Sequence, residues 1–396
     1  MKKIGIVSCY FQTNYGSMLQ AYATQMALDK LGYENETIDI SGFNGEIKKK
    51  KIRYFAKASL TSGILLTKLG RAKDAVMRKI RKNEYTENVQ VRNKAFQRFE
   101  KRYFKMSPMY RSQKELGEKC FGYEAVLVGS DQLWLPGNIA ADYYTLNFVP
   151  ETVNSIAYAT SFGQSSLPKD SSKLAKVFLN KIRHISVREE SGAKLIRDIT
   201  GRKVPVVCDP TLLFDGDDWK SIQEEKPLVD GAYIFVYFLG SNPQHREFVI
   251  KLKKETGLKV VCLPHIDEYV KEDEECSDIR LYDIEPGQFL NLIRNASYVC
   301  TDSFHCSVFS IQYKKEFFTF RRFASRNKQS TNTRLDTLFG LTGIEGRLLV
   351  GDENIPDVLS LKINYEQVHE RLRKSREDSY CYLKDSLEDK GGTDSD

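Results

Sequence analysis

Short apolar runs of strand length alternate with helical periodicity along this chain, and the alternation begins twice. Lys3-Ile4-Gly5-Ile6-Val7-Ser8 has the continuous apolar character of a buried strand, and Leu19, Tyr22, Ala23, Met26 and Ala27 then recur at helical spacing. Ser17 with Gln20 predicts a capping box at the helix start, Gly32 predicts its stop, and residues 36–40 restore a strand. Strands are predicted again at 125–128, 155–159, 184–187 and 204–208, with helices over 174–182 and 189–199. A stretch rich in breakers and acids, from Asp209-Pro210 to Gly231, separates this half from a second that repeats the pattern. There the predicted strands are 233–239, 259–263, 298–300 and 317–320, and the predicted helices 244–256, 286–293 and 303–313. Such alternation builds largely parallel sheets covered by helices on both faces.

The reading is therefore an α/β protein of two Rossmann-like domains facing across a cleft, resembling the GT-B architecture by analogy of fold. The expected division is an N-terminal domain over 1–215, with a basic helical insertion at 46–105, and a C-terminal domain over 220–345. A helical segment at 346–384 and a disordered tail at 385–396 complete it.

Charge is distributed unevenly. Residues 46–105 hold 19 Lys or Arg against 5 Asp or Glu, whereas the whole chain carries only +7. A local positive segment argues against a nucleic-acid-coating surface and for one charged region with its own task. Leu65, Leu69, Ala72 and Val76 fall at helical spacing among Lys68, Arg71, Arg78, Lys79, Arg81 and Lys82. That is the pattern of a basic amphipathic helix suited to an anionic membrane face, with packing of Phe96, Phe99 and Tyr103 on the protein itself as the competing reading. The eight cysteines form no C-x-x-C pair, the N-terminus lacks a signal-peptide pattern, and no apolar run approaches the ~18 residues of a membrane span. The expectation is a cytoplasmic protein with reduced thiols, peripheral at most to the inner membrane face.

In open parallel sheets ligands gather beyond the carboxyl ends of strands. Asn14, Tyr15 and Gly16 lie there, in a loop entering a helix whose unpaired N–H groups suit a phosphate or carboxylate. Ser130 and Asp131 follow one strand, Ser161 another, and Asp302 and Ser303 a third. Arg188 also follows a strand, and its guanidinium suits bidentate anion binding, while Glu189 and Glu190 complement the next helix dipole. His305 is placed in a first helical turn with Asp302 or Ser303 as N-cap, which suits proton exchange near neutral pH. Asp215-Gly216-Asp217 resembles an Asp-x-Asp motif, but acidic turns are common and no metal is expected. His184, His245, His265 and His369 have no matching partners in sequence and are expected to be structural or exposed.

Six blocks in order (3–39, then VLVGSDQLW, IAYATSFG, ISVREESGAKLI, VCDPTLLF and YVCTDSFHCSVFSI) resemble the polysaccharide pyruvyl transferase family over residues 3–340. Cys306 departs from the glycine many members carry after the motif His, a change expected to alter acceptor shape. The resemblance implies phosphoenolpyruvate as donor, with no other cofactor, and a sugar acceptor joined as a cyclic ketal. The acceptor is expected to be a polysaccharide precursor, lipid-linked where the basic segment meets a membrane. It also implies His305 as proton donor and Arg188 as part of the anion clamp, with Arg294, Arg321 or Arg322 completing the clamp from the second domain. Two other classes compete: a GT-B glycosyltransferase using a nucleotide sugar, and a scaffold that keeps the blocks only for folding.

Overall fold

The computed structural model describes residues 3–61, 84–322 and 333–388. Its first sheet contains β1 (Lys3–Val7), β2 (Asn35–Thr37), β3 (Tyr123–Asp131), β4 (Asn154–Thr160) and β5 (His184–Val187), all parallel, in the order β2-β1-β3-β4-β5. The second contains β6 (Tyr233–Tyr237), β7 (Lys259–Cys262), β8 (Ile279–Arg280), β9 (Tyr298–Thr301), β10 (Glu316–Phe320) and β11 (Leu348–Leu349), again all parallel, in the order β11-β10-β9-β6-β7-β8. Both are doubly wound. Strand order reverses between β1 and β3 in one sheet and between β6 and β9 in the other, and the loops leaving those strands open a crevice at each point.

Most sequence-predicted elements are present, with instructive exceptions. Residues 204–208 form no strand: Val206 makes a single bridge to Val187, beside Pro205, which has no N–H to give a ladder. The first helix, Tyr15–Lys30, is capped by Asn14, whose side chain accepts from Ser17 N, and not by Ser17. Gln20 instead reaches β3, where its Oε1 accepts from Ser130 N at 2.8 Å. Gly32 at φ +83° supplies the left-handed residue that ends this helix.

Helix Tyr15–Lys30 buries residues on every face because it lies between the first sheet and the second domain. Tyr15 stacks on Phe289 with ring centroids 4.4 Å apart and donates its hydroxyl to Ile284 O at 3.0 Å. Helix Glu84–Tyr103, inside the basic insertion, also turns inward. Phe96 and Phe99 are buried in the main core, and Arg98 pairs with Asp283 at 2.6 Å and Glu285 at 2.7 Å across the domain boundary. Part of the positive charge thus fastens one domain to the other. The amphipathic stripe from Leu65 to Lys82 lies outside the described residues.

The C-terminal helix runs Tyr365–Glu388, so residues 385–388 are ordered helix and not tail. It returns to the first domain: Arg376 donates to Leu212 O and Phe214 O, Ser379 Oγ accepts from Cys208 N, and Asn154 Nδ2 donates to Ser386 O. Buried Leu383 and Leu387 give its inner face an apolar reason to stay.

Candidate active site

Arg188 follows β5 directly, and its side chain is 1% exposed. Nη1 donates to Asp209 Oδ2 at 2.7 Å, Nη2 donates to Asp131 Oδ1 at 3.0 Å, and Nε lies 3.6 Å from Glu189 Oε2. Three carboxylates therefore surround one guanidinium. Each has further partners. Asp131 Oδ2 accepts from Ser17 Oγ at 2.7 Å, and Asp209 Oδ1 accepts from Thr211 N and Oγ1. Ser130 Oγ stands 3.0 Å from Asp209 Oδ2, and Glu189 Oε1 accepts from Ser161 Oγ. Asp131 sits at the end of β3 with φ +79°, a conformation these bonds must hold in place.

Burial pushes the Asp131 carboxyl up, but the charges of Arg188, His305 and Arg334 outweigh it and hold the group well below the usual carboxylate range. Asp209 behaves the same way, with His305 and Arg188 outweighing burial. Glu189 differs: burial dominates and pushes it up.

The second domain supplies the imidazole. Ser303 caps helix Phe304–Gln312, its side chain accepting from Cys306 N, so His305 stands in the first turn. His305 is 5% exposed, and its Nε2, 3.6 Å from Asp209 Oδ2, has no hydrogen-bond partner among the described residues. The Nδ1 edge faces Gly16, where a Cβ would lie 2.1 Å from Nδ1. Only glycine admits the imidazole there. Gly16→Ala is accordingly expected to displace His305 and, as overpacking of a buried contact does, to lower the melting temperature by a few degrees; an unchanged melting temperature would show that the imidazole can shift harmlessly.

Two more guanidiniums approach from the second domain. Arg334, 10% exposed, lies 3.7 Å from Asp131 Oδ1, and both it and Arg188 stand over the Phe304 ring, at 5.7 and 5.0 Å. Burial first, then repulsion from Arg188, lowers Arg334 to about 10. Arg322 Nη2 donates to Asp302 O at 3.0 Å. The Nε atoms of Arg188, Arg322 and Arg334 are buried without hydrogen-bond partners among the described residues. A cavity of about 570 Å³, lined by Arg188, Asp209, Phe304 and Arg334 among others, opens beside this cluster.

Of the residues singled out in sequence, Ser130, Asp131, Ser161, Arg188 and Glu189 form one network, which His305 joins from the other domain. Asp302 holds a loop: its carboxylate accepts from Leu239 N and Gly240 N. Ser303 and Asn14 are helix caps, and Tyr15 packs the domains together. Among the second-domain arginines, Arg322 binds Asp302 and adds repulsion at Arg334, Arg321 pairs with Asp336, and Arg294 binds the carbonyls of Glu224 and Glu225. Cys306, 0% exposed, points into the core and lines neither this cavity nor a smaller one described below. Asp215 folds onto its own turn, accepting from Asp217 N and Asp218 N. Sequence reasoning missed Asp209 and Arg334. Asp209 had a signal, since it follows an apolar run as Asp131 and Asp302 do; Arg334 had none.

Comparison with known proteins adds the following. A family model described as polysaccharide pyruvyl transferase matches residues 14–322. No curated protein matches the chain. Among solved structures, UDP-GlcNAc 2-epimerase from Neisseria meningitidis is similar at 11% identity and a TM-score of 0.49, covering 98% of this chain and 99% of that one. MurG of Acinetobacter baumannii is similar at 11% identity and a TM-score of 0.42, covering 98% and 99%. UDP-N-acetylglucosamine 2-epimerase from Rickettsia bellii is similar at 10% identity and a TM-score of 0.44, covering 97% and 98%.

Proposed function

The chain belongs to the polysaccharide pyruvyl transferase family, and from that premise we propose that it transfers pyruvate from phosphoenolpyruvate to a sugar as a cyclic ketal. The observation that carries this reading is a buried imidazole whose Nε2 faces Asp209 Oδ2 at 3.6 Å and makes no hydrogen bond among the described residues, near a cavity lined by two guanidiniums. His305 gives its Nε2 proton to the donor's methylene carbon, leaving an oxocarbenium-like C2. A sugar hydroxyl oxygen bonds to C2 and its proton returns to the imidazole. The C2–O bond to phosphate then breaks, and a second hydroxyl closes the ketal, its proton leaving with phosphate. Asp209 balances the imidazolium charge, while Arg188 and Arg334 meet the anionic donor.

Arg334 is the more testable cation because no buried carboxylate depends on it alone: Asp131 keeps Arg188 and Ser17 without it. Phosphoenolpyruvate should raise the melting temperature of the full chain, and the shift should shrink in Arg334→Gln. If UDP-sugars stabilise the protein and phosphoenolpyruvate does not, a nucleotide-sugar glycosyltransferase replaces this reading.

The proposal includes a cytoplasmic enzyme that meets a lipid-linked acceptor at an anionic membrane face. Among the described residues no helix is long and apolar enough to cross a membrane. Ile52 and Phe55 are 66% and 58% exposed on the lysine-rich helix Asn44–Thr61. Leu174 and Val177 are exposed on helix Lys169–Lys181, and Lys57 joins the two helices through Asp170 at 3.9 Å. Apolar side chains rimmed by lysine suit an anionic interface. Co-sedimentation with phosphatidylserine vesicles should be salt-sensitive and weaken severalfold in Phe55→Ser. Equal binding to neutral vesicles, or none to either, overturns it.

A further inference from the structure

A second cavity, of about 350 Å³, lies between the domains where the loops after β6 and β7 meet the start of helix Tyr15–Lys30. We propose that it is the acceptor subsite, taking a pyranose whose hydroxyl donates to His265 Nε2. This rests on the pyruvyl-transfer reading only for the occupant's role as acceptor.

His265 is not a plain structural histidine. Its side chain is 5% exposed, and Asp273 Oδ2 holds Nδ1 at 2.9 Å and the backbone N at 3.0 Å. Arg246 braces Asp273 from behind, with Nε and Nη2 donating to Oδ1 at 3.0 and 2.8 Å, and its Nη1 donates to Gly240 O and Asn242 O. This buried chain ties the loops after β6 and β7 together and fixes the ring. In the tautomer whose Nδ1 donates to Asp273, Nε2 carries the ring's lone pair. Nε2 is buried and lacks a partner among the described residues, while the residue lines the cavity. A buried acceptor without a donor is destabilising, and a ligand hydroxyl would satisfy it.

The remaining lining decides the ligand's chemistry. Gln12, Thr13 and Asn14 contribute amides and a hydroxyl, and Tyr237 and Phe238 contribute aromatic surface. The one cation in the described lining, Arg92, donates to Leu281 O and Tyr282 O and stands over the Tyr15 and Tyr282 rings. Amides, hydroxyl, imidazole, aromatic faces and the Asp267 carboxylate, with the Arg92 guanidinium committed to two carbonyls, suit a polyol whose hydroxyls donate to these acceptors. The volume falls within the ~300–1,000 Å³ of small-molecule sites. Residues next to the Gly16–His305 contact line both cavities: Asn14 and Tyr15 the smaller, Asp209 and Phe304 the larger.

The test uses the full chain and methyl glycosides of galactose, glucose, mannose and N-acetylglucosamine, followed by saturation-transfer NMR with and without phosphoenolpyruvate. At least one glycoside should bind. Binding should weaken at least tenfold in His265→Asn, whose amide keeps the bond to Asp273 and removes only Nε2. Gln12→Trp, at an exposed position, should block the cavity without disturbing the core and decides the matter if His265→Asn does not fold. No glycoside signal in the wild type, or a signal unchanged in the folded variants, overturns the subsite. Glycoside binding sensitive to His265→Asn in a protein that phosphoenolpyruvate does not stabilise would fail the donor reading and leave the subsite standing.

Discussion

His305→Ala is expected to lower turnover by about 10² to 10⁴, the range for loss of a general acid, while leaving the fold and donor binding nearly intact. The separation of effects follows from the bonding. His305 Nε2 makes no hydrogen bond among the described residues, so truncation breaks none at that atom. Asp209, its neighbour at 3.6 Å, retains Arg188 and Thr211. The guanidiniums of Arg188 and Arg334 are untouched, so on the proposed reading phosphoenolpyruvate should still stabilise the variant. Wild-type turnover should also depend on the protonation of one group that the variant has lost. A His305→Ala enzyme with near-normal turnover and an unchanged pH profile would remove His305 from the mechanism.

Arg188→Ala is expected to fail as a folded protein. Asp209 and Glu189 side chains are 0% and 1% exposed and Asp131 is 14% exposed, and removing the guanidinium leaves all three without their common counterion. Breaking a buried pair typically costs about 3–5 kcal/mol, a large part of the roughly 5–15 kcal/mol that holds a domain folded. Arg188→Lys keeps the charge but not the fork that reaches Asp131 and Asp209 together, so it should fold with a clearly lowered melting temperature. A soluble Arg188→Ala protein melting within a degree or two of wild type would show that the cluster is not structurally essential. Loss of activity in that variant alone says nothing about donor binding, which is why Arg334 is the better probe of the anion clamp.

The sequence was informative wherever a signal is local. Strand runs such as 155–159, the Gly32 stop and the placement of His305 in a first helical turn depend on periodicity and capping, which act over a few residues. Even there the cap was misplaced by three residues, because Asn14 and Ser17 offer similar side-chain acceptors and only the backbone decides between them. Pro205 similarly outweighed the apolar run around it. Asp209 ends an apolar run but also opens the breaker-rich stretch between the domains, and local pattern does not separate those two roles. Arg334 has no local signature, since it becomes a site residue only when its helix meets Asp131 from the other domain.

The sequence by itself determined the alternation of elements, the family blocks, and the positions of Arg188 and His305 at the end of a strand and the start of a helix. Tertiary structure alone decided that β1 lies beside β3 and β6 beside β9. It also decided that Arg188 is enclosed by three carboxylates, that helix Glu84–Tyr103 turns its aromatics inward, and that the final helix crosses back to the first domain. The physical reason is range. Backbone propensity and side-chain periodicity act between near neighbours in the chain, whereas burial of charge is set by which distant segments exclude water together.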